Sequence, residues 1–220
     1  MGSVDKELSA AKTLRVLVVR AGIGGLTAAV GLRKHGHEVT LFERTELAQE
    51  FGAAFHLPPN SYGILKRFGI HPELFGETRV QGVREYEYTG ALRADIDLTA
   101  FNPTWQHPWV LAHRIRLHET PKNLATRKDG NGHPAVLHTS SRGVAVNPST
   151  ATVTLENGAQ FSGDLVIGAD GVSVFDYQES CHGHRSQAYD SGKSAFRFMI
   201  PHEAMLSNQL PKSLLVDTAT

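Results

Sequence analysis

A glycine-rich turn near the amino terminus is the strongest chemical signal in this 220-residue sequence. It reads Arg20-Ala21-Gly22-Ile23-Gly24-Gly25 and follows a short apolar run. A dinucleotide site uses three glycines in such a turn: one for the bend, one for the approach of a pyrophosphate, and one for close packing of helix on strand. Gly22 and Gly25 meet the second and third positions, with Gly24 between them. The turn therefore predicts a pyrophosphate site at the amino end of a helix.

Arg20 stands where the first of the three glycines is expected. The backbone at that position can require a conformation that is open mainly to glycine. A cation close to the site could attract phosphates. We nevertheless expect the long side chain to obstruct the turn sterically.

An acidic residue lies at the expected distance from the turn. Glu43 is 21 positions beyond Gly22 and closes a second apolar run. In dinucleotide sites an acid about 20 residues further on accepts hydrogen bonds from a ribose. We therefore predict that Glu43 binds the adenosine ribose.

The apolar pattern also predicts the elements that would position these residues. Residues 14–19 have the β-branched composition of a buried strand, residues 26–34 are typical of a helix, and residues 37–43 predict a second strand. Strand, helix and strand within about thirty residues have the size of a βαβ unit. The same apolar stretch could suggest a membrane span, but its arginines and glycines favour this unit over an integral membrane segment.

Later segments predict further strands and one short helix. Strands are expected within residues 80–98, a hairpin over 151–161 around an Asn-Gly turn, and another buried strand over 164–171. A short helix is expected after Pro121, because proline is tolerated in a first helical turn.

Composition narrows the functional classes. Lys and Arg together number 22, as do Asp and Glu, so the balanced charge predicts no nucleic-acid partner. Cys181 is the single cysteine and cannot form an internal disulfide, which favours a cytoplasmic location. The densest cluster of possible metal ligands, residues 181–184, has no second pair at zinc-finger spacing, and we predict no metal site. Nothing in the sequence predicts the oligomeric state.

Several motifs together resemble one known family, the FAD-dependent aromatic hydroxylases. These are single-component flavoprotein monooxygenases similar to salicylate hydroxylase, and the likeness is strongest to members from fungal secondary metabolism. The motifs occur in family order at residues 18–29, Leu-Pro-Pro-Asn at 57–60, His-Arg-x-x-Leu-His at 113–118, Asp-Leu-Val-Ile-Gly-Ala-Asp-Gly at 164–171, and Gly-Lys-Ser-Ala-Phe-Arg-Phe at 192–198.

The resemblance implies roles for further residues. Gly52 and Ala53 would line the flavin side of the loop after the second strand. Arg114 would reach the phosphate and ribityl region of FAD, for which a bidentate cation is suited. Asp170 belongs to a motif that serves both FAD and the incoming nicotinamide cofactor. Arg197 would face a phenolic substrate and stabilise its phenolate.

The implied fold is α/β: a Rossmann-like FAD-binding βαβ unit with a parallel sheet, interleaved with an incomplete β-sheet substrate domain. Residues 14–79 and 111–180 would form the FAD-binding part, and residues 80–110 and 181–220 the substrate part. The implied reaction is hydroxylation of a phenolic or polyketide-derived aromatic, with NAD(P)H as co-substrate and dioxygen as oxidant.

Two other interpretations stay open at this stage. A truncated, non-catalytic homologue is supported by Arg20, by the absence of the family's Ser-x-x-Arg arginine after Gly171, and by a length about half that of the family. An NAD-dependent dehydrogenase could use the same βαβ unit, although it would have no use for the motifs at 113–118 and 168–171.

Overall fold

A computed structural model describes residues 12–46, 54–171, 189–192 and 202–207 of the chain. It begins with the βαβ unit: strand β1 (Arg15–Val19), helix α1 (Ile23–Lys34) and strand β2 (Glu38–Phe42). β1 and β2 pair in parallel, with Val19 opposite Phe42. Both strands therefore end at the same edge of the sheet, directly beside the glycine turn.

The remaining described elements are mainly strands, with three further helices. In chain order they are β3 (Ala54–Leu57), α2 (Pro59–Arg67), β4 (Thr78–Arg79), β5 (Gly82–Tyr86), β6 (Leu92–Asp97), β7 (Val110–His113), α3 (Arg114–Thr126), β8 (Val136–His138), β9 (Gly143–Asn147), β10 (Thr152–Leu155), β11 (Gln160–Ser162), β12 (Leu165–Gly168) and α4 (His202–Leu206). Short 3₁₀ turns occur at Pro72–Phe75 and Asn102–Thr104.

The strands form one parallel sheet and several antiparallel ones. The parallel sheet has the order β12-β1-β2-β8, and the antiparallel sheets are β11-β10-β9, β3-β7-β4 and the β5-β6 hairpin. The predicted α/β class with a parallel sheet is confirmed, and further strands form antiparallel sheets. Because β1 lies between β2 and β12, the strand order changes direction beside β1, and this is where open α/β sheets bind ligands.

The core explains why β1 is almost wholly apolar. Residues 16–19 are buried, since α1 covers one face of the parallel sheet and the β9–β11 sheet covers the other. Val16 and Val18 pack with the α1 side, whereas Leu17 and Val19 pack with Phe42 and the β10 side chains. Burial of each such side chain contributes roughly 1.5–3 kcal/mol.

A buried arginine joins α1 to α3. The Arg33 side chain is 2% exposed, and its Nη1 donates to the carbonyl oxygens of Leu124 at 2.7 Å and Ala125 at 3.1 Å. These carbonyls belong to the last turn of α3, where the helix dipole is negative. Nε and Nη2 of Arg33 donate to the Gly132 carbonyl at 3.4 and 3.3 Å, so the buried cation is well supplied with acceptors.

The structure differs from the sequence prediction at three elements. α1 begins at Ile23 inside the glycine turn, three residues before the predicted start. The helix expected after Pro121 instead begins at Arg114 and carries Pro121 in its interior. Burial of Leu117, Pro121 and Ala125 against the core outweighs the one backbone hydrogen bond that proline removes.

The third difference concerns β12, which was predicted to be buried. Leu165 is 44% exposed, and the middle of the strand is only partly covered. The cause is topological, because β12 is an outer strand of the four-stranded parallel sheet that the structure describes. A continuous apolar run is typical of a buried strand, but it does not show whether the strand lies in the centre or at the edge of a sheet.

Within the described ranges, none of the helices combines the length and apolar character needed to cross a bilayer.

Candidate cofactor-binding site

The glycine turn leaves β1 through a strained residue. Arg20 has a φ of +82°, a conformation that costs a bulky L-residue about 1–2 kcal/mol. Its backbone N–H donates to the Phe42 carbonyl at 2.7 Å, which holds the bend against the end of β2. The position therefore has the backbone shape for which the motif uses glycine, although an arginine occupies it.

The three glycines of the turn have two distinct environments. A Cβ built on Gly25 would lie 2.2 Å from the Arg20 carbonyl oxygen and 3.2 Å from the Ala169 Cβ, so glycine here permits close packing of helix on strand. Among the described residues, a Cβ built on Gly22 or Gly24 would meet no atom within 4 Å. The surface beside these two glycines is therefore open for a ligand that approaches the backbone closely.

The amino end of α1 carries the electrostatic features of an anion site. Gly22 is the N-cap residue and supplies no side-chain cap, and the first turn contains no acidic residue. The first N–H groups of a helix have no intrahelical acceptor, and the helix dipole makes this end positive. Together with the open space at Gly22 and Gly24, these features fit a pyrophosphate.

Arg20 does not obstruct the turn, so the expectation of steric obstruction is wrong. Its Nε donates to Oδ1 of Asp170 at 3.2 Å, which draws the side chain across the end of β1 toward the end of β12. The space beside Gly22 and Gly24 stays open as a result. The sequence could not reveal this contact, because the partners are 150 residues apart and the β1–β12 pairing brings them together.

Glu43 lies directly below the turn. Its carboxylate accepts the Ala21 N–H through Oε2 at 3.0 Å, and the N–H and hydroxyl of Thr45 through Oε1, each at 3.0 Å. Glu43 is 7% exposed. An ionised carboxylate has about four acceptor positions, and protein donors take three of them, which leaves about one for a ribose hydroxyl.

His118 is a site residue that sequence reasoning did not assign. It is 2% exposed, and its Nε2 donates to the Ala21 carbonyl at 2.7 Å. Glu43 and His118 thus hold the two peptide groups that flank Ala21, the first through the Ala21 N–H and the second through the Ala21 carbonyl. The available signal was the motif at 113–118, which places a histidine one helical turn after Arg114.

Arg114 is the first residue of α3 and is exposed. It precedes His118 by four residues, so both lie on the same side of the helix, with Arg114 one turn closer to the amino end. Its neighbour His113 pairs with Ala54 at the start of β3. The contact of His118 with Ala21 places α3 beside the glycine turn, and Arg114 lies one helical turn from that contact.

Three predicted site residues, Gly52, Ala53 and Arg197, lie outside the described residues, as do the segment after Gly171 and the cluster at 181–184. Gly22, Gly24, Gly25, Glu43 and Asp170 converge where β1, β2 and β12 end, with Arg114 at the adjacent helix terminus. The arrangement of sheet, turn and helix dipole defines a dinucleotide-binding α/β protein.

Comparison with known proteins identifies the kind of dinucleotide site. Residues 13–178 match the model of the FAD-binding domain family, and the chain belongs to that family. It is 35% identical over 198 residues to the FAD-dependent monooxygenase cfoG of Aspergillus candidus, covering 87% of this chain and 45% of the relative. It is 33% identical to hispidin-3-hydroxylase of Neonothopanus nambi, covering 73% and 38% respectively.

A solved structure supports the same assignment. The fold matches 2-methyl-3-hydroxypyridine-5-carboxylic acid oxygenase with a TM-score of 0.63 and 28% identity, over 78% of this chain and 43% of that one. The predicted resemblance to FAD-dependent hydroxylases is therefore confirmed. The chain spans less than half the length of these relatives.

Proposed function

We propose that this chain is the FAD-binding part of a monooxygenase that hydroxylates a phenolic or polyketide-derived aromatic in secondary metabolism, using NAD(P)H and dioxygen. The observation that carries the proposal is the open backbone surface at Gly22 and Gly24 on the amino end of α1. Bound FAD would supply the redox chemistry that transfers one oxygen atom of dioxygen to the ring. The division into FAD-binding and substrate parts at residues 79, 110 and 180 belongs to the same proposal, as does a location in the cytosol.

The chain's own residues would bind and orient the cofactor. The N–H groups that begin α1 would hold the pyrophosphate, and Glu43 would accept a hydrogen bond from the adenosine ribose. Arg114 would reach the phosphate and ribityl region from the start of α3. Asp170, Gly52 and Ala53 complete the proposed cofactor set.

The residues on one face of the β3-β7-β4 sheet favour the proposal of an aromatic substrate. Val110 and Ala112 on β7 are buried in the core, so the alternating residues of that strand lie on the other face. The Trp109 ring lies 5.9 Å from His56 and 6.4 Å from Trp105. The ring nitrogens Nε1 of Trp109 and Nδ1 of His113 are buried without a hydrogen-bond partner among the described residues. Aromatic rings and uncompensated polar atoms together suit a hydroxylated ring.

Arg197 would act on the substrate rather than on the cofactor. A guanidinium facing a phenol would favour the phenolate, which is the more electron-rich form of the ring. Arg197→Met should therefore retain FAD but lose the stimulation of NAD(P)H oxidation by phenols. Arg197→Lys keeps the charge and serves as the matched control.

Cofactor binding is tested by titrating the purified chain into FAD and following flavin fluorescence. We expect quenching, and we expect ADP to reverse it by competing for the turn. No quenching at any accessible chain concentration would reject the cofactor assignment.

Catalysis is tested by NAD(P)H oxidation against a panel of phenols under labelled dioxygen, with mass spectrometry of the products. Incorporation of one labelled oxygen atom supports the proposal. A chain that binds FAD but hydroxylates no phenol would instead be the non-catalytic homologue. Hydride transfer to a substrate without FAD would indicate a dehydrogenase.

A further inference from the structure

The ion pair between Arg20 and Asp170 joins the ends of β1 and β12 beside the glycine turn on which a dinucleotide would bind. Arg20 follows β1 and Asp170 follows β12, and these neighbouring strands end in register, with Val19 opposite Gly168. Beside β1 the order of the parallel sheet changes direction, and ligands of such sheets bind outside the strand ends at this point. The pair therefore forms part of the floor of the site.

The two members of the pair are not equally covered. The Asp170 side chain is 4% exposed, whereas the Arg20 side chain is 15% exposed. The contact uses Nε of Arg20, and a guanidinium presents five N–H donors in a planar fork. The arginine is thus the more exposed member of the pair, and its contact with the carboxylate fixes the orientation of the guanidinium.

The backbone at Arg20 is strained, so an arginine here costs free energy that a glycine would not. Arg20 is held at a φ of +82°, where glycine would relieve the strain. Strained conformations of this kind are concentrated at functional sites. Together with the partly exposed cation on an anion-binding turn, the strain indicates that the side chain has a use.

We propose that Arg20 is a ligand of the cofactor diphosphate and that Asp170 is the positioning residue that orients it. The inference rests on the proposed function, because it requires a dinucleotide on the glycine turn. It changes the role expected for Asp170, which would act on the cofactor through the arginine. The diphosphate would then accept hydrogen bonds from the N–H groups of α1 on one side and from the guanidinium on the other.

The test compares ADP with adenosine, since the two ligands share the nucleoside but only ADP carries the diphosphate. Dissociation constants are measured by calorimetry for the unmodified chain, Arg20→Met and Arg15→Met. Arg15 is the matched control, because it pairs with Asp164 at 3.6 Å across the same two strands at their opposite ends. Arg20→Gly is a second variant that removes the cation and also relieves the backbone strain, so that it folds if Arg20→Met does not.

Arg20→Met and Arg20→Gly should each weaken ADP binding about 10- to 100-fold, in line with the loss of a charge-assisted hydrogen bond, and leave adenosine binding unchanged. The affinity of the unmodified chain for ADP should also fall more steeply with salt than that of either variant. Arg15→Met should alter neither ligand.

Two results would overturn the inference, and only the second would also reject the proposed function. If the Arg20 variants bind ADP as tightly as the unmodified chain, Arg20 is a structural ion-pair partner only, and the proposed cofactor site stands. If the unmodified chain binds neither ADP nor FAD, both this inference and the proposed function fail.

Discussion

The carboxylate of Glu43 accepts the backbone N–H of Ala21 at 3.0 Å, which fixes the acid at the end of β2 to the glycine turn at the end of β1. Sequence motifs treat the turn and the acid as two separate contacts to a dinucleotide. In this fold they form one unit, because the acid also shapes the turn. A change at Glu43 should therefore affect both folding and cofactor binding.

Glu43→Ala should lower the free energy of unfolding by about 1–3 kcal/mol and weaken FAD binding. The buried Ala21 N–H loses its acceptor, which costs the desolvation of that group. Urea denaturation and flavin fluorescence measure the two effects. Glu38→Ala, an exposed acid at the other end of the same strand, should change unfolding by no more than about 0.5 kcal/mol. Equal effects of the two variants would contradict the prediction.

His118→Phe should also destabilise the fold, by about 1–3 kcal/mol, because the Ala21 carbonyl loses its donor while the ring volume is approximately retained. The double variant with Glu43→Ala should cost less than the sum of the two, since both residues contact Ala21 in the turn. His133→Phe in the exposed loop before β8 is the control. Strict additivity in urea denaturation would show that the two contacts are independent.

Gly24→Ala and Gly25→Ala should separate binding from folding. The methyl group of Gly24→Ala would meet no atom of the described part of the chain, and alanine favours a helix by up to about 1 kcal/mol. The variant should therefore be as stable as the parent but should bind FAD more weakly. Gly25→Ala would place a Cβ 2.2 Å from the Arg20 carbonyl oxygen and should cost about 1–3 kcal/mol in stability. Unchanged FAD affinity in Gly24→Ala would show that the cofactor does not approach there.

The βαβ unit, the glycine turn and Glu43 could all be predicted because their signals are local. Val16–Val19, the glycines and the acid lie within about thirty residues and follow known spacing. The contacts of Arg20 with Asp170 and of His118 with Ala21 span 150 and 97 residues, and sheet pairing and helix packing create them. The helix through Pro121 escaped prediction for a related reason, since tertiary burial outweighed a local propensity.

A cluster around Glu73, remote from the turn, predicts acid sensitivity. Burial opposes ionisation of this carboxylate, but hydrogen bonds from its own backbone, Tyr62, Lys66 and His71 outweigh burial and lower the pKa of Glu73 from 4.5 to about 2. A depressed folded-state pKa contributes stability that is fully present above pH 4.5 and is lost as the pH falls toward 2. Urea midpoints should therefore decrease across that window.

Glu73→Gln should make the decrease of the urea midpoint in acid shallower, whereas Glu85→Gln on the exposed edge of β5 should not. A parallel pH profile for the parent and Glu73→Gln below pH 4.5 would contradict this prediction.

The same cluster affects stability at alkaline pH. Burial first, and then the hydrogen bond to Glu73, raise the pKa of Tyr62 above its ordinary value of 10. Stability from the neutral phenol is present below pH 10 and falls above it.

The sequence contains two tryptophans, Trp105 and Trp109, and their rings lie 6.4 Å apart beside the β3-β7-β4 sheet. Ultraviolet emission excited at the indole band therefore comes from one region only, remote in sequence from the glycine turn. A flavin bound near that sheet would quench this emission by resonance energy transfer. Adenosine nucleotides, which lack the isoalloxazine ring, would leave the emission unchanged. Tryptophan emission can thus report the isoalloxazine half of the cofactor without an attached dye.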